Sequence, residues 1–315
     1  MMDKNDIILS IIVPVFNHEK YIAKALDSVL MQKTKYKFEV LVGDDLSSDK
    51  SREILKEYET YYPGFFKMFF REKNMHKEKV NNIKDLLNRG KGKYLIVLEG
   101  DDYWTDELKI EKQIEFLEKH PDYLAVAHNC VVVDENSAPT GEVYPESKNE
   151  EYTIWHYAGE ILPGQTATLM YRNYIREKIL DTTFVDTLIM PGDKKKIFSL
   201  ITNGKIYCIQ EPMSAYRHVT SHGSSFSATN KYNYQRVESW YRAQLDYAYK
   251  LDKKDAIKCA ELQYRLTIRS ALFRRRISFR TYVKDLKNIK HRIKSFFFMA
   301  KRDLLKYLLK KQIIK

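Results

Sequence analysis

The sequence predicts an α/β fold, a mostly parallel sheet flanked by helices, followed by a helical C-terminal extension. Short apolar runs alternate with segments of helical periodicity through residues 1–225, a pattern typical of parallel sheets with crossover helices. The runs are apolar throughout, which indicates strands buried on both faces. Phe226–Lys315 holds 24 Lys and Arg against 7 Asp and Glu, a net charge of +17, whereas residues 1–225 carry −5. We therefore expect two parts, 1–225 and 226–315.

The individual elements follow from apolar runs and from apolar residues spaced three and four apart. The predicted strands are Ile7–Val15, Phe38–Gly43, Phe65–Phe70, Tyr94–Leu98, Tyr123–Val133, Gln165–Tyr171 and Gly204–Gln210. The predicted helices are His18–Met31, Ser47–Tyr61, Val80–Leu87, a segment between Trp104 and Pro121, Asn173–Leu180 and Asp193–Asn203. Pro14 is expected to end the first strand, because proline cannot donate to a ladder. The polar segments Asp134–Tyr152 and Ser214–Asn230 are predicted loops, and the pattern from there on is helical.

Composition narrows the class of protein. Nothing at the N-terminus resembles a signal peptide, because Met1–Asp6 is polar and the apolar run after it is short. No apolar run has the length of a membrane-spanning helix. The cysteines Cys130, Cys208 and Cys259 are scattered without metal-ligand spacing, so we expect reduced thiols in an intracellular protein.

The stretch Leu95–Trp104 carries the first sign of chemistry. An apolar run leads directly into the carboxylates Glu99, Asp101 and Asp102, which repel one another unless they share a cation. A hard divalent ion that also binds phosphate oxygens meets that need. An acidic turn before the following helix explains the same residues, because carboxylates suit a helix N-terminus. This stretch alone leaves both interpretations open.

Three features fall at the ends of successive predicted strands: Pro14–Asn17, Asp44-Asp45 and Asp101-Asp102. Loops at the carboxyl edge of one sheet converge in space, so we expect a pocket for a polar ligand and a cation. A carboxylate such as Asp45 can accept hydrogen bonds from a base or a ribose. Phe16 can pack on a ring, although an ordinary core role is the stronger alternative for this residue.

At this point the sequence resembles a known family. The motifs SIIVPVFNHEKYIAKALDSVLMQ, EVLVGDDLSSDKS, GKYLIVLEGDDYW and ELKIEKQIEFLEKHPDY occur in the order and spacing of family 2 glycosyltransferases. The resemblance covers roughly Ile7 to Ser225. It implies the GT-A fold, a Rossmann-like, mostly parallel sheet flanked by helices, and an inverting, metal-dependent transfer from a nucleotide-diphosphate sugar, with UDP as the expected nucleotide.

The resemblance also implies roles for single residues of the donor site. Asp45 matches the carboxylate that contacts the base, and Asn74 matches the asparagine that opens the next loop. Asp101 of the DxD-type motif would face the ribose, and Asp102 would hold Mn²⁺ or Mg²⁺ against the diphosphate, while Glu99 has no firm role. The residues that match the first nucleotide-binding loop are Pro14, Phe16, Asn17 and Glu19.

The loop 77–82 lacks the arginine that family members often have. Lys77 or Lys79 is a possible substitute, although lysine is a point charge rather than a planar fork.

Asp193, in MPGDKKKIF, is the candidate base that takes the acceptor proton. Its position at a helix start favours an ordinary N-cap, and only the resemblance favours catalysis.

The segment EPMSAYRHVTSHGSSFS resembles the one that closes over the diphosphate. Arg217 would pair with phosphate oxygens, Ser224 would donate to them, and His218, in preference to His222, would complete the metal shell. The tryptophans Trp104 and Trp155 are candidates for stacking on an acceptor sugar, with plain packing the stronger alternative for Trp155.

The basic C-terminal part mixes cations with Phe, Leu and Ile, as in Ala271–Arg280 and Arg292–Leu309. This pattern is typical of amphipathic helices on anionic bilayers. A solvated face, an oligomerisation pair or nucleic-acid binding explains it too, but no nucleic-acid motif accompanies the charge.

The sequence therefore predicts an enzyme of surface polysaccharide or glycoconjugate assembly. It would act on a glycan or lipid-linked glycan acceptor, in the cytoplasm at the inner face of the cell membrane. The alternatives are a non-catalytic nucleotide-binding or scaffolding protein and a nucleic-acid binder that uses the basic tail. A processive synthase is disfavoured, because no QxxRW-type motif follows Asp193.

Overall fold

The computed structural model describes residues 7–75, 81–185, 191–219 and 232–313, with side chains as far as Asp303. The chain divides into two compact units. The first comprises Met1–Thr153, Ile161–Thr182 and Asn203–Thr229. The second comprises Ile154–Glu160, Thr183–Thr202 and Asn230–Lys315, so it joins the C-terminal helices to two segments from earlier in the chain.

The strands and helices alternate through the first unit, and helices alone make up the second. The strands are β1 Leu9–Val15, β2 Phe38–Asp44, β3 Phe66–Phe70, β4 Tyr94–Val97, β5 Tyr103–Trp104, β6 Tyr123–Val133, β7 Glu151–Tyr152, β8 Met170–Arg172 and β9 Lys205–Arg217. The helices are α1 Ile22–Leu30, α2 Ser51–Tyr61, α3 Asn82–Arg89, α4 Lys109–Lys119, α5 Ile154–Ala158, α6 Tyr174–Glu177, α7 Thr182–Val185, α8 Gly192–Asn203, α9 Tyr234–Leu251, α10 Lys254–Phe273, α11 Phe279–Leu286 and α12 Arg292–Ile313.

The strands form one mixed sheet in the order β3-β2-β1-β4-β8-β6-β9-β5, with β7 beside β9. β3, β2, β1 and β4 are mutually parallel, as the alternation of strands and helices predicted. The short β8 runs antiparallel to both of its neighbours, β4 and β6. Parallel pairing resumes between β6 and β9. The predicted α/β architecture with C-terminal helices is confirmed, although the antiparallel β8 was not foreseen.

The core of the first unit is the set of apolar runs that the sequence showed. The side chains of Ile11 and Val13 on β1 are fully buried. They belong to one cluster with Leu26 of α1, Ile96 of β4 and Ile114 of α4. The central strands are therefore buried because β-branched and Leu side chains occupy nearly every position of each run.

Pro14 does not end β1 as predicted, because the strand continues to Val15. The ladder to β4 stops at Ile12, whereas the ladder to β2 runs on to Val15. Beyond Ile12, the Pro14 carbonyl accepts the N–H of Gly100 at 3.2 Å. The donor that proline lacks is therefore not needed by any regular pairing.

Three other predicted elements differ from the structure. In place of a strand over Gln165–Tyr171, a 3₁₀ turn at Thr166–Thr168 precedes β8. The helix predicted over Asn173–Leu180 shortens to α6, where Lys178 adopts a left-handed φ of 52°. The loop predicted from Ser214 begins later, because β9 continues to Arg217. Register shifts of β6 against β9 around Asn129 absorb the irregularity next to Pro212.

Every regular element among the described residues of the second unit is a helix, as the sequence predicted for the C-terminal part. α9 and α10 pack along each other, and a buried hydrogen bond of 2.6 Å joins Gln244 to Gln263. All three cysteines are free thiols. No helix within the described ranges combines the length and the apolarity that crossing a bilayer requires.

Candidate active site

The ends of β1, β2 and β4 meet at the carboxyl edge of the sheet, as predicted. The N–H of Asp45 donates to the Val15 carbonyl at 2.9 Å, and the N–H of Gly100 donates to the Pro14 carbonyl at 3.2 Å. The end of β1 therefore lies between the two acidic turns and is bonded to both. Phe16, the next residue, keeps part of its side chain exposed at this edge.

The loop after β1 is joined to the loop after β2 by side chains of the predicted nucleotide-binding motif. Asn17 has a left-handed φ of 57°, and its Oδ1 accepts the N–H of Ser48 at 2.8 Å. Its own N–H donates to the Ser47 hydroxyl at 2.9 Å. The Glu19 carboxylate accepts the N–H of Lys50 at 2.9 Å. Asn17 and Glu19 thus fix the shape of this edge, and a contact from them to a nucleotide stays a prediction.

The adjacent aspartates after β2 have different surroundings. Asp44 is fully buried and accepts a hydrogen bond from Arg52 Nε at 2.6 Å, so a cation within the chain compensates it. Asp45 is 7% exposed, and its Oδ1 accepts the N–H of Met75 at 2.6 Å. The Asn74 side-chain amide donates to the Asp45 carbonyl at 2.9 Å. Asp45 and Asn74, both predicted site residues, therefore lie together.

Asp102 is the most enclosed carboxylate of the acidic turn after β4, with 2% of its surface exposed. Its Oδ1 accepts the backbone N–H of Arg217 at 2.8 Å. Its Oδ2 accepts the side-chain amide of Gln165 at 2.6 Å. The same amide lies 3.3 Å from Glu99 Oε2. The Gln165 amide therefore bridges the two carboxylates.

The electrostatics of this turn favour the arrival of a cation. Burial raises the pKa of the Asp102 carboxyl well above its usual range, and the charges of Asp101 and Glu99 raise it further. The hydrogen bonds from Arg217 and Gln165 act in the opposite direction but do not cancel these effects. The ionised form of Asp102 is therefore held in an unfavourable field, which a positive charge would relieve.

Arg217 is 5% exposed, and its guanidinium braces the turn. Its Nε donates to the Asp101 carbonyl at 2.9 Å. Its two terminal nitrogens donate to the Asp134 carbonyl at 2.5 Å and to the Ser137 hydroxyl at 3.0 Å. The plane lies 4.2 Å from the ring centre of Tyr21. Arg217 thus contacts the acidic turn, and its pairing with phosphate stays a prediction that requires one of these contacts to exchange.

Gly100 permits the close approach of two segments at the centre of the turn. A Cβ atom at this position would lie 2.6 Å from His18 Nδ1 and 3.3 Å from the Pro14 carbonyl. The His18 Nδ1 atom is buried and has no hydrogen-bond partner among the described residues. Only glycine therefore fits between the carboxylates Glu99 and Asp101.

His218 follows Arg217 and lies beside the same edge. Its N–H donates to the Val133 carbonyl at 3.0 Å, and its Nδ1 lies 2.8 Å from Glu142 Oε2. The ring stacks with that of Tyr216 at 5.9 Å between centres. Glu142 therefore occupies one ring nitrogen, and metal binding by His218 stays a prediction for the other. Four residues considered from the sequence lie outside the described residues: Lys77, Lys79, His222 and Ser224.

Asp193, the predicted base, belongs to the second compact unit. It lies in the first turn of α8 and is partly exposed. Its Oδ1 accepts the N–H of Lys194 at 2.7 Å. A partly exposed carboxylate with one oxygen so engaged suits a proton acceptor and a helix-terminal acid equally, so its catalytic role stays a prediction.

Trp104 does not face an acceptor as the sequence suggested, because only 1% of it is exposed. Its Nε1 donates to the Ala167 carbonyl at 3.1 Å, and the fully buried Lys109 amine lies 4.1 Å from the indole centre. Trp104 therefore supports the acidic turn from within. Trp155 is 40% exposed and lies 5.3 Å from the Phe298 ring.

The profile of glycosyl transferase family 2 matches residues 10–179, which contain all three strand ends described above. The chain belongs to glycosyl transferase family 2. The resemblance seen in the motifs is thereby confirmed.

Relatives and a solved structure agree with this assignment. The uncharacterized protein Rv1520 of Mycobacterium tuberculosis is 33% identical over 220 residues, which cover 70% of this chain and 61% of that protein. The chain thus spans about three fifths of the length of this relative. The minor teichoic acid biosynthesis protein GgaB of Bacillus subtilis is 25% identical over 238 residues, covering 75% of this chain and 25% of that protein.

Staphylococcus aureus TarS 1-349, solved in complex with UDP-GlcNAc, superposes with a TM-score of 0.65 at 18% identity. The superposition covers 91% of this chain and 81% of the TarS chain. This likeness confirms the expected GT-A fold.

Family 2 glycosyltransferases typically use a divalent metal, and the acidic turn has suitable ligand chemistry for one. Among the described residues, no three His, Cys, Asp or Glu side chains form a ready cage for a metal ion. Mg²⁺-type sites commonly use only one or two carboxylates and complete their shell with water and substrate phosphates. The buried Asp102 and its acidic neighbours therefore fit a metal that arrives with a diphosphate.

Gln165 is the residue of this family 2 site that sequence reasoning missed. Its side-chain oxygen accepts the N–H of Ala167 at 2.7 Å, which aims the amide nitrogen at Asp102 and Glu99. It was placed at the start of a predicted strand, and no pattern related it to carboxylates far earlier in the chain. The local sequence, Gly164-Gln165 before Thr166 and Thr168, indicated a turn at this position and nothing about its contacts.

Proposed function

We propose that this protein is an inverting, metal-dependent glycosyltransferase that moves a sugar from a UDP-sugar to a hydroxyl of a glycan or lipid-linked glycan. The observation that carries the proposal is the acidic turn Glu99–Asp102. Its buried Asp102 is held by neutral donors alone among the described residues, beside two further carboxylates. Such a turn, at the carboxyl edge of a family 2 sheet, suits a cation-bound diphosphate.

Five of the predicted residues have a part in the proposed reaction. Asp45 accepts a hydrogen bond from the base, and Asp101 faces the ribose. Asp102 would hold Mn²⁺ or Mg²⁺, and a metal bound there would offset charge on the leaving diphosphate. Asp193 takes the proton of the acceptor hydroxyl as that oxygen attacks the anomeric carbon, so the configuration inverts. Arg217 keeps Asp101 in place through its carbonyl contact.

Two comparisons support the finer parts of the proposal. TarS was solved with UDP-GlcNAc, which favours UDP as the nucleotide. GgaB is named for teichoic acid biosynthesis, which favours a role in surface polysaccharide or glycoconjugate assembly. We extend the proposal to a lipid-linked acceptor at the inner face of the cell membrane, where the basic residues 226–315 attach the enzyme to the anionic surface.

Donor binding is the first test. Thermal unfolding is followed with UDP-, GDP-, dTDP- and CMP-sugars, each with and without Mn²⁺, because a ligand that binds the native state raises the melting temperature. We expect stabilisation by a UDP-sugar that requires Mn²⁺. Stabilisation by another nucleotide would replace UDP in the proposal, and stabilisation by none would contradict the enzyme.

The substitution Asp193→Asn distinguishes a catalytic glycosyltransferase from a non-catalytic nucleotide-binding scaffold. The variant keeps the donor-induced shift but loses transfer by about 100-fold or more, because a positioned base contributes at least that much. Lys194→Gln, next in the chain, is the matched control and keeps transfer. A protein that binds donor equally well in both variants and transfers in neither would be a nucleotide-binding scaffold. RNA binding that disappears on deletion of residues 226–315, without any donor shift, would favour the nucleic-acid alternative.

A further inference from the structure

Helix α12 packs through one face against the rest of the second unit. Ser295 and Met299 on this face are each 5% exposed. The guanidinium of Arg265 on α10 donates to the Ser295 hydroxyl at 3.0 Å and 2.9 Å. One turn beyond Met299, Arg269 pairs with Asp303 at 2.5 Å. Ser295, Met299 and Asp303 therefore mark the side of α12 that packs within the second unit.

The opposite side of α12 is apolar and exposed. Ile293 is 75% exposed, Phe296 50% and Phe297 67%. Ala300, also exposed, continues the stripe, because residues three and four apart lie on one side of a helix. Large apolar side chains this exposed, and contiguous along a helix, mark an interaction surface rather than an ordinary solvated face.

Uncompensated cations flank this stripe. The exposed Arg292, Lys294 and Lys301 have no carboxylate within ion-pair distance among the residues that the structure describes. The wider segment from Arg274 to Arg302 contains 11 Lys and Arg and only one acidic residue, Asp285. We call the exposed residues Arg292–Lys294, Phe296, Phe297, Ala300 and Lys301 the basic aromatic face.

Helix α11 repeats this composition on a smaller scale. Phe279 is 69% exposed and Val283 40%, one turn apart. The two cations that follow them, Arg280 and Lys284, line the same groove. Exposed apolar residues beside cations are therefore found on α11 as well as on α12.

Charge and side-chain chemistry decide which partner fits. A second copy docked about a two-fold axis would place the basic aromatic face against itself and oppose like charges. A nucleic acid gains from stacking on aromatic rings, but the most exposed residue is Ile293, which offers no ring. An anionic bilayer attracts the cations and buries both Ile and Phe at the acyl boundary.

We propose that the basic aromatic face of α12 docks on an anionic lipid bilayer, with Ile293, Phe296 and Phe297 inserted between the headgroups. This deepens the proposed function by identifying the surface that brings the enzyme to a lipid-linked acceptor. Docking requires no donor sugar, so vesicle binding and donor binding succeed or fail independently.

The test is co-sedimentation of the full chain with vesicles of phosphatidylcholine alone or mixed with phosphatidylglycerol. We expect pelleting with the anionic vesicles only, weakened by salt. The triple variant Ile293→Ser, Phe296→Ser, Phe297→Ser removes insertion and keeps the charge. We expect it to lose binding by about tenfold or more.

The double variant Lys294→Gln, Lys301→Gln keeps the apolar stripe and weakens binding by about tenfold. The matched control is Tyr61→Ser in the first unit, equally exposed at 75%, and it binds like the wild type. Thermal unfolding of every variant verifies the fold.

Equal pelleting by the wild type and the triple variant would overturn the proposal, as would equal binding to neutral vesicles. A dimer seen by light scattering that the triple variant dissolves, without vesicle binding by the wild type, would assign the face to a second copy instead. RNA binding by the wild type without vesicle binding would overturn the proposal as well.

Discussion

Two buried carboxylates at opposite ends of the parallel strands have very different hydrogen-bond partners. Glu39, on β2, is 5% exposed, and Lys67 donates to its Oε2 at 2.6 Å. Its Oε1 accepts from the Ser10 hydroxyl and from the Lys91 N–H, each at 2.7 Å. Burial acts to raise the pKa of Glu39, but these donors outweigh it and the pKa is lowered. Asp102 is as deeply buried, yet its pKa is raised.

The difference separates an acid that serves the fold from one that is available to a ligand. Where a carboxylate only links strands, as at Glu39 and Asp44, the chain supplies Lys67 or Arg52. To Asp102 it supplies a side-chain amide and a backbone N–H, and two more negative charges lie beside that carboxylate. Perturbed carboxylates without an internal cation are common at functional sites, so the edge that holds Asp102 is the one we assign to the diphosphate.

The largest expected effect is on transfer. Asp102→Asn removes the charge that would hold the metal, and we expect transfer to fall by about 100-fold or more, because metal-assisted charge stabilisation supplies several kcal/mol. The measurement is the initial rate with the UDP-sugar that gives the largest thermal shift. Mn²⁺ should stabilise the wild type in the presence of UDP and leave the variant unchanged. Full transfer by this variant would make Asp102 a structural acid like Glu39.

Glu39→Gln is expected to change stability and not transfer. The amide oxygen still accepts from Ser10 and Lys91, but the bond to Lys67 is lost. Lys67 is half exposed and can return to solvent, so the free energy of unfolding should fall by only about 1–2 kcal/mol. Urea unfolding measures the loss, and transfer per folded molecule should match the wild type. A variant that unfolds normally and transfers poorly would place Glu39 in the functional network instead.

Gln165→Leu tests the neutral donor that replaces a cation at the acidic turn. The substitution leaves the Ala167 N–H without its acceptor and takes one donor from Asp102, so we expect unfolding to be easier by about 1 kcal/mol. The Mn²⁺ concentration needed for half-maximal transfer should also rise, because Asp102 and Glu99 are no longer held together. Gln165→Asn is the control for size and polarity. An unchanged metal requirement in Gln165→Leu would confine Gln165 to packing.

The strands and the acidic edge of the sheet could be predicted from sequence, but the partners of Asp44 and Asp102 could not. The apolar runs gave β1 to β4 nearly to the residue, and the acidic residues at their ends marked the edge where Asp45 and Asp102 meet. Nothing local distinguished Asp44 from Asp45, because the Arg52 contact depends on how α2 follows β2. Gln165 precedes β8, and the backbone N–H of Arg217 lies at the end of β9; β8 is shorter than the predicted strand, and β9 continues past the predicted end at Gln210. Their pairing is non-local, and single-sequence periodicity does not encode it.

The smallest expected effect is on the pH dependence of the free energy of unfolding, measured in metal-free protein with EDTA. The lowered pKa of Glu39 means that its contribution is present above the unfolded pKa and is lost as pH falls through the folded value. Glu39→Gln should therefore lose stability relative to the wild type as pH rises from about 3 to about 8. The raised pKa of Asp102 has the opposite sign, since the folded protein holds its proton longer than the unfolded chain.

Over the same range Asp102→Asn should therefore gain stability relative to the wild type. Urea unfolding at several pH values gives the stability difference between each variant and the wild type as a function of pH. New hydrogen bonds in a variant would shift this difference by a constant and leave its slope unchanged. If both variants lost stability as pH rises, the charge of Asp102 would be stabilised within the protein as that of Glu39 is. The proposed metal site would then have to lie elsewhere on the sheet.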